Sequence, residues 1–228
     1  MIKHVLVDLD DTILDFHASE RVALRSMLEK MGIEMTEEIR ATYSEINRLG
    51  WKKLERGEIT REALLVERFA ELFSVLGTER DAREAKRIYE SELSGSYFFI
   101  DGAEKLLDDI SEKYSLYLAS NGTDSVQTGR IAASGIEKYF KDIFISERIG
   151  YNKPAPEYFE ECFKRIKDFK KEECIIVGDS ISSDILGGKG AGIKTCLYNP
   201  HGKREDGQAM ADYEIRSLGE LVDLLGSI

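Results

Sequence analysis

Lys3-His4-Val5-Leu6-Val7-Asp8-Leu9-Asp10-Asp11-Thr12 is an apolar run that ends in acids, and its reading decides the fold. Residues 3–9 read as a short buried strand. From about residue 17 the pattern turns helical and stays so to about residue 93. Val22, Leu24, Met27 and Leu28 mark a helix between His17 and Met31. Thr36 can cap a helix that opens on Glu37-Glu38, where acids suit the dipole. Thr60 can cap the next one, whose Leu64, Leu65, Phe69, Leu72, Phe73 and Leu76 form a 3.6-residue stripe. A further helix covers 80–93.

Beyond residue 97 strands and helices alternate. Asp101 with Glu104 reads as a capping box opening a helix to Lys113. Ser115 to Ala119 is a strand, 124–134 a helix, and Ile143 to Ser146 the end of a strand. Pro156 suits a helix N-terminus, with the helix running to about 167. Glu173 to Gly178 is a strand, 182–190 a helix, Lys194 to Tyr198 a strand and Ser217 to Leu225 a helix. This alternation predicts an α/β fold with a parallel sheet and right-handed crossovers. The helical block after the first strand predicts a separate inserted cap.

Composition narrows the partners. Of 228 residues, 42% are hydrophobic, enough for a real core, and the formal net charge is −11. An acidic chain is a poor binder of nucleic-acid polymers, which need a basic surface. A local cationic pocket can still hold a small anion. Cys162, Cys174 and Cys196 form no CxxC pair, which argues against a disulfide framework or a zinc site. No window reaches the 18 or so apolar residues of a membrane span. The start, Met1-Ile2-Lys3-His4, has no long apolar stretch. The expectation is a soluble cytoplasmic protein, monomeric or dimeric.

The strongest chemical signal is again at the first strand. In an extended chain Asp8 and Asp10 project to one side, because the strand period is two. Two carboxylates at a strand's carboxyl end repel unless a cation offsets them, and Mg²⁺ prefers such hard oxygen ligands. Asp179 and Asp184, in Gly178-Asp179-Ser180-Ile181-Ser182-Ser183-Asp184, follow another buried strand. They should therefore meet at the same sheet edge, where open α/β sheets build their sites. Ser120-Asn121-Gly122 directly follows the strand 115–119, and its hydroxyl and main-chain N–H groups can hold phosphate oxygens. Lys153 precedes the helix at Pro156 and can neutralise charge on a phosphoryl group.

These residues together resemble the haloacid dehalogenase-like (HAD) phosphatase superfamily. The motifs are Asp8-x-Asp10-x-Thr12, the Ser120-Asn121 turn, Lys153, and Gly178-Asp179-Ser180 with Asp184, in the family's order across the whole chain. The resemblance implies a Rossmann-like three-layer core over 1–14 plus 98–228 and a C1-type helical cap over 15–97. It implies that Asp8 attacks phosphorus, and that Asp10 protonates the leaving oxygen and then activates water. It implies a Mg²⁺ ion held by Asp8, Asp179 and the Asp10 carbonyl, supported by Asp184. Ser120, Asn121, Gly122 and Lys153 would grip the phosphoryl group.

A narrower similarity concerns Asn47-Arg48-Leu49-Gly50-Trp51 and Glu55-Arg56-Gly57-Glu58-Ile59-Thr60. This cap sequence resembles the 5'-nucleotidase branch acting on pyrimidine and noncanonical nucleoside monophosphates. It implies a small phosphorylated metabolite, a nucleoside 5'-monophosphate first, as substrate. Phe16, Asn47 and Trp51 are the candidates for specificity. Trp51 could equally pack the cap, with Asn47 on the same helical face at i, i+4. A sugar-phosphate phosphatase or a β-phosphoglucomutase-like mutase shares core and cap type. A phospho-aspartyl receiver shares the acids, hydroxyl and lysine but is shorter and has no helical insert. Asp11 and His201 are expected to be structural and exposed, respectively, and Thr12 a supporting hydrogen bonder.

Overall fold

The computed structural model describes residues 1–202 and 210–228. In chain order the elements are β1 (His4–Val7), α1 (Phe16–Lys30), α2 (Glu37–Glu55), α3 (Arg61–Val75), α4 (Ala82–Ser94) and α5 (Ala103–Ser111). Then come β2 (Ser115–Ser120), α6 (Asp124–Ser134), β3 (Phe140–Ile145), α7 (Ser146–Ile149), α8 (Pro156–Arg165) and β4 (Cys174–Gly178). The chain ends with α9 (Leu186–Ala191), β5 (Lys194–Tyr198), β6 (Tyr213–Ile215) and α10 (Leu218–Ser227). It divides into two compact units, Met1–Phe16 with Tyr97–Ile228, and His17–Ser96.

In the first unit, six strands among the described residues form one sheet in the order β3-β2-β1-β4-β5-β6. All neighbouring pairs are parallel. Such a sheet is buried on both faces, which explains why β1 reads as a continuous apolar run. Its alternation sorts side chains into two cores. Val5, Val7, Leu116, Leu118, Ile175 and Val177 pack with Leu107 of α5 and Leu221 of α10. Leu6, Tyr117, Ala119 and Ile176 pack with Tyr158, Phe159 and Cys162 of α8. The result is the three-layer α/β core expected from the sequence.

The second unit consists of the helices that follow residue 16. Thr36 and Thr60 act as the predicted N-caps, accepting from the N–H groups of Ile39 and Ala63. Tyr43, Phe69 and Tyr89 cluster at its centre, with the Tyr43 and Phe69 rings stacked at 5.4 Å. Leu64, Leu65, Phe69, Leu72 and Phe73 are buried, as the stripe predicts. Val22 is not: it is 47% exposed, because the buried face of α1 runs through Ser19, Ala23, Leu24, Met27 and Leu28.

Several local expectations differ from the structure. Asp101 and Glu104 form no capping box, since the N-cap of α5 is Gly102, in a left-handed conformation at φ 80°. A residue with a Cβ disfavours that conformation, so glycine decides where α5 starts. The predicted helix 182–190 is a wide turn over Ile181–Ile185 continued by α9. The strand ending near 146 stops at Ile145, and Ser146 opens α7. The short edge strand β6 lies outside the predicted strands. All three cysteines are free and buried. No helix among the described residues is long and apolar enough to cross a membrane.

Candidate active site

From β1 the chain runs to β2 and β3 on one side and later to β4, β5 and β6 on the other. The strand order therefore reverses between β1 and β4, and the crevice at their carboxyl ends is where such sheets bind ligands. Asp8 follows β1 and Asp179 follows β4. Asp8 is still held in the sheet, its N–H donating to the Val177 carbonyl at 2.9 Å.

Lys153 is the hub. Its side chain is 1% exposed. The ammonium donates to Asp8 Oδ1 at 2.6 Å, Asp184 Oδ1 at 2.7 Å and the Ala119 carbonyl at 2.6 Å, which uses all three of its hydrogens. Burial alone would push Lys153 down, but the Asp184 and Asp8 carboxylates overcome it and hold the ammonium above its ordinary value. Asp184 also accepts the Ser180 N–H at 3.1 Å. Gly178 makes room for it: a Cβ there would lie 2.2 Å from Asp184 Oδ2.

Asp8, Asp179 and Asp184 each offer a carboxylate oxygen, and these oxygens lie within 4.8 Å of one another. One ammonium does not balance three acids. Burial pushes Asp8 up to about 8 despite Lys153, with Asp184 and Asp10 adding to the rise. Asp179 is raised well above its ordinary value by burial, then by Asp8, Asp184 and Asp11. Its side chain nevertheless reaches solvent, so the neighbouring charges are the firmer cause. An all-oxygen set with excess negative charge, buried at Asp8 and Asp184 and open to solvent at Asp179, is suited to a hard divalent cation.

The carboxylate of Asp10 stands outside this set. β1 ends at Val7, so strand alternation no longer governs Asp10. Its Oδ2 accepts from Gln127 Nε2 at 2.6 Å and its Oδ1 from the Arg130 guanidinium. Asp11 sits at φ 56° and accepts the Phe16 N–H at 2.9 Å, the structural role expected of it. Thr12 is fully buried with no partner on its hydroxyl, so the expected hydrogen bond is absent among the described residues.

Ser120, at the end of β2, accepts from the Gly122 N–H at 3.1 Å and from Gln127 Nε2 at 2.8 Å. The Asn121 side chain is engaged with the Lys153 main chain. Its side-chain carbonyl accepts the Lys153 N–H and its amide donates to the Lys153 carbonyl, both at 2.8 Å. The pair fixes the main chain that carries the ammonium.

The three candidate specificity residues have different settings. Phe16 packs near Arg130, with the guanidinium carbon 5.8 Å from the ring centroid. Trp51 is half-buried in the helical unit under the Arg61 guanidinium, at 5.5 Å. Asn47 is 4% exposed, donates to Glu20 at 2.8 Å and accepts from Arg68 at 3.0 Å. Its amide is thus part of the helical unit's polar interior. His201 is exposed, as expected.

Gln127 and Arg130 are absent from the sequence-based site. A signal for them existed. Val126, Gln127, Arg130 and Ile131 make up the buried face of α6, so two polar residues occupy an otherwise apolar helical stripe. Buried polar groups need partners, and here the partners are Asp10 and Ser120.

With this geometry in view, comparison with known proteins is direct. Residues 2–192 match the family model of haloacid dehalogenase-like hydrolases. The chain is 40% identical over 221 residues to the HAD-hydrolase YfnB of Bacillus subtilis, covering 97% of this chain and 94% of that one. It is 40% identical over 224 residues to the pyrimidine 5'-nucleotidase PynA of Streptococcus pneumoniae, covering 98% and 94%. The magnesium-bound crystal structure of YfnB matches with a TM-score of 0.94 at 39% identity over 98% of each chain.

Proposed function

This chain belongs to the haloacid dehalogenase-like hydrolases, and we propose that it is a magnesium-dependent phosphomonoesterase working through an aspartyl-phosphate on Asp8. The observation that carries this reading is the buried Lys153 ammonium shared by Asp8 and Asp184, with the Asp10 carboxylate held apart by other donors. One acid is placed against the Lys153 ammonium, and a second is held apart from it by a separate amide and guanidinium. That is the division of labour a nucleophile and an acid/base require.

In the first step an Asp8 carboxylate oxygen attacks phosphorus. The phosphorus–ester oxygen bond breaks as Asp10 delivers a proton to the leaving oxygen. In the second, Asp10 takes a proton from a water that attacks the acyl phosphate at phosphorus. The bond to Asp8 breaks, inorganic phosphate leaves and Asp8 is restored. The Ser120 hydroxyl and the main chain at Asn121 and Gly122 bind the phosphoryl oxygens, the Lys153 ammonium offsets their charge through space, and the Asn121 side chain anchors Lys153. Such transfer is chiefly a matter of position and charge stabilisation.

The carboxylates of Asp8, Asp179 and Asp184 and the main-chain carbonyl of Asp10 would hold Mg²⁺. The ion supplies positive charge that offsets these acids and the phosphoryl oxygens. Gly178→Ala drives a methyl group into Asp184 and is expected to weaken Mg²⁺ binding by about 10–100-fold. Calorimetric titration of the purified variant with MgCl₂ checks this, and wild-type affinity would remove Asp184 from the metal set.

For the substrate we favour a nucleoside 5'-monophosphate with a pyrimidine base, supported by similarity to PynA across 98% of this chain. A panel of phosphorylated metabolites assayed for released phosphate tests it. Pyrimidine nucleoside 5'-monophosphates are expected to show the highest kcat/KM. A sugar phosphate ranked above every nucleotide would reject the substrate class and leave the phosphatase intact. A sugar-phosphate isomer formed without free phosphate would instead identify a mutase.

A further inference from the structure

Gln127 and Arg130 stand on a helix that contributes none of the nucleophile, the metal ligands or the lysine. Both are buried, at 1% and 0% exposure. Their polar ends converge on one carboxylate. Gln127 Nε2 reaches Asp10 Oδ2 at 2.6 Å, Arg130 Nη1 reaches Asp10 Oδ1, and Arg130 Nη1 also reaches Gln127 Oε1 at 3.2 Å. Each oxygen of Asp10 therefore has its own donor, and rotation of the carboxylate about its bond breaks both contacts. The same Gln127 amide nitrogen reaches the Ser120 hydroxyl at 2.8 Å.

We propose that Gln127 and Arg130 are positioning residues that set the orientation of Asp10 and register it against Ser120, the phosphoryl-binding hydroxyl. The inference rests on the phosphatase reading above, in which Asp10 is the proton-transfer group. A single amide then links the group that holds the phosphoryl oxygen to the group that moves the proton. This matters because a displacement of about 1 Å at a reacting group can cost 10²-fold in rate.

Three features beyond the contacts support the assignment. A fully buried guanidinium is costly to desolvate, and its pairing with a partly exposed acid is a weak way to gain stability. Its placement makes more sense as a constraint on the acid. Gly122 also makes space for this arrangement, since a Cβ there would fall 2.3 Å from Gln127 Nε2 and 2.5 Å from its Cδ. A side chain at position 122 would therefore displace the Gln127 amide. Finally, the other side of Asp10 is fixed independently: Asp11 takes a left-handed turn, donates its N–H to the Leu14 carbonyl at 2.8 Å and accepts from Phe16. The Asp10 main chain is set by that turn and its side chain by α6.

The test compares wild type with Gln127→Met and Gln127→Glu. Methionine keeps the volume but cannot donate, and glutamate keeps the shape but repels Asp10. Arg130→Lys and Gly122→Ala complete the set. Turnover of an aryl phosphate with Mg²⁺ gives kcat and KM, and acid quenching in the steady state gives the fraction of enzyme carrying acid-stable, base-labile phosphate. Gln127→Met is expected to lower kcat about 10–100-fold with KM changed less than about threefold. Its phosphoenzyme fraction should rise above that of wild type, because an aryl leaving group needs little protonation and the impaired proton transfer falls mainly on the second step.

Gln127→Glu should fall further than Gln127→Met, while Arg130→Lys, which retains the charge, recovers part of the rate. Gly122→Ala should reproduce the kcat loss without altering either residue. Folded Gln127 variants with wild-type kcat and phosphoenzyme fraction, whatever their melting temperature, would overturn the proposal. Should Arg130→Lys not fold, the neutral Gln127→Met still decides. If wild type itself forms no phosphoenzyme and releases no phosphate, the phosphatase reading fails, and the inference with it.

Discussion

Asp8→Asn is expected to abolish phosphate release, lowering kcat on the order of 10⁴-fold or more. The substitution is nearly isosteric. It keeps an oxygen able to accept from Lys153, whose contact with Asp8 Oδ1 is 2.6 Å. It also keeps the N–H donated to Val177, so the sheet edge stays intact. The loss is therefore chemical: an amide oxygen is too weak a nucleophile to form the acyl phosphate. Removing a negative charge from a crowded acidic set also relieves repulsion, because Asp8 contributes to the rise of Asp179. The variant should consequently melt no lower than wild type in the absence of Mg²⁺. Phosphate release and a thermal melt on the same preparation separate the two effects. An inactive but destabilised variant would point to misfolding, and an active one to another nucleophile.

Lys153→Met should be both inactive and unstable. The ammonium is the hydrogen-bonded cation between Asp8 and Asp184, and all three lie inside the protein. Removing one partner of a buried ionic set typically costs about 3–5 kcal/mol, since the remaining charges are left without compensation. Burial, Asp184 and Asp10 already push Asp8 up to about 8 with Lys153 in place. Without it, Asp8 and Asp184 can only take up protons, bind a cation or move apart. Urea unfolding is expected to show the loss, and Mg²⁺ to restore part of it by mass action. Adding Asp184→Asn should be less than additive, with a coupling of at least about 1 kcal/mol, because the second change removes a charge that the first leaves unpaired. A loss below about 1 kcal/mol for Lys153→Met would mean that the cluster is hydrated and the lysine incidental.

The framework was legible because parallel strands buried on both faces leave continuous apolar runs, as in Val5-Leu6-Val7 and Ile175-Ile176-Val177. The acids followed those runs at once, so their meeting at one sheet edge could be read from order alone. β6 was not legible: it spans only Tyr213–Ile215 and exists through its pairing with β5. The start of α5 was misread because Asp101 and Glu104 have the spacing of a capping box, whereas the chain turns at Gly102 instead.

The site's second layer was the least visible. Gln127 and Arg130 lie 117 and 120 residues from Asp10, and Asn121 lies 32 from Lys153. No local pattern encodes such pairings. The one trace is the presence of a glutamine and an arginine on the buried face of α6. Asn47 shows the reverse case: its helical spacing from Trp51 was visible, but its partners Glu20 and Arg68 were set by packing of the helical unit.

The central claim is that Asp8 carries the phosphoryl group. Asp10→Asn enzyme, slowed in the second step, is mixed with Mg²⁺ and substrate, quenched in acid within one turnover and digested in acid with pepsin. Mass spectrometry of the peptides that span Asp8 is expected to locate one phosphoryl group on that residue. Asp8→Asn under the same conditions should carry none. Phosphate released in that window with Asp8 unmodified, or a phosphoryl group on another residue, would contradict the account.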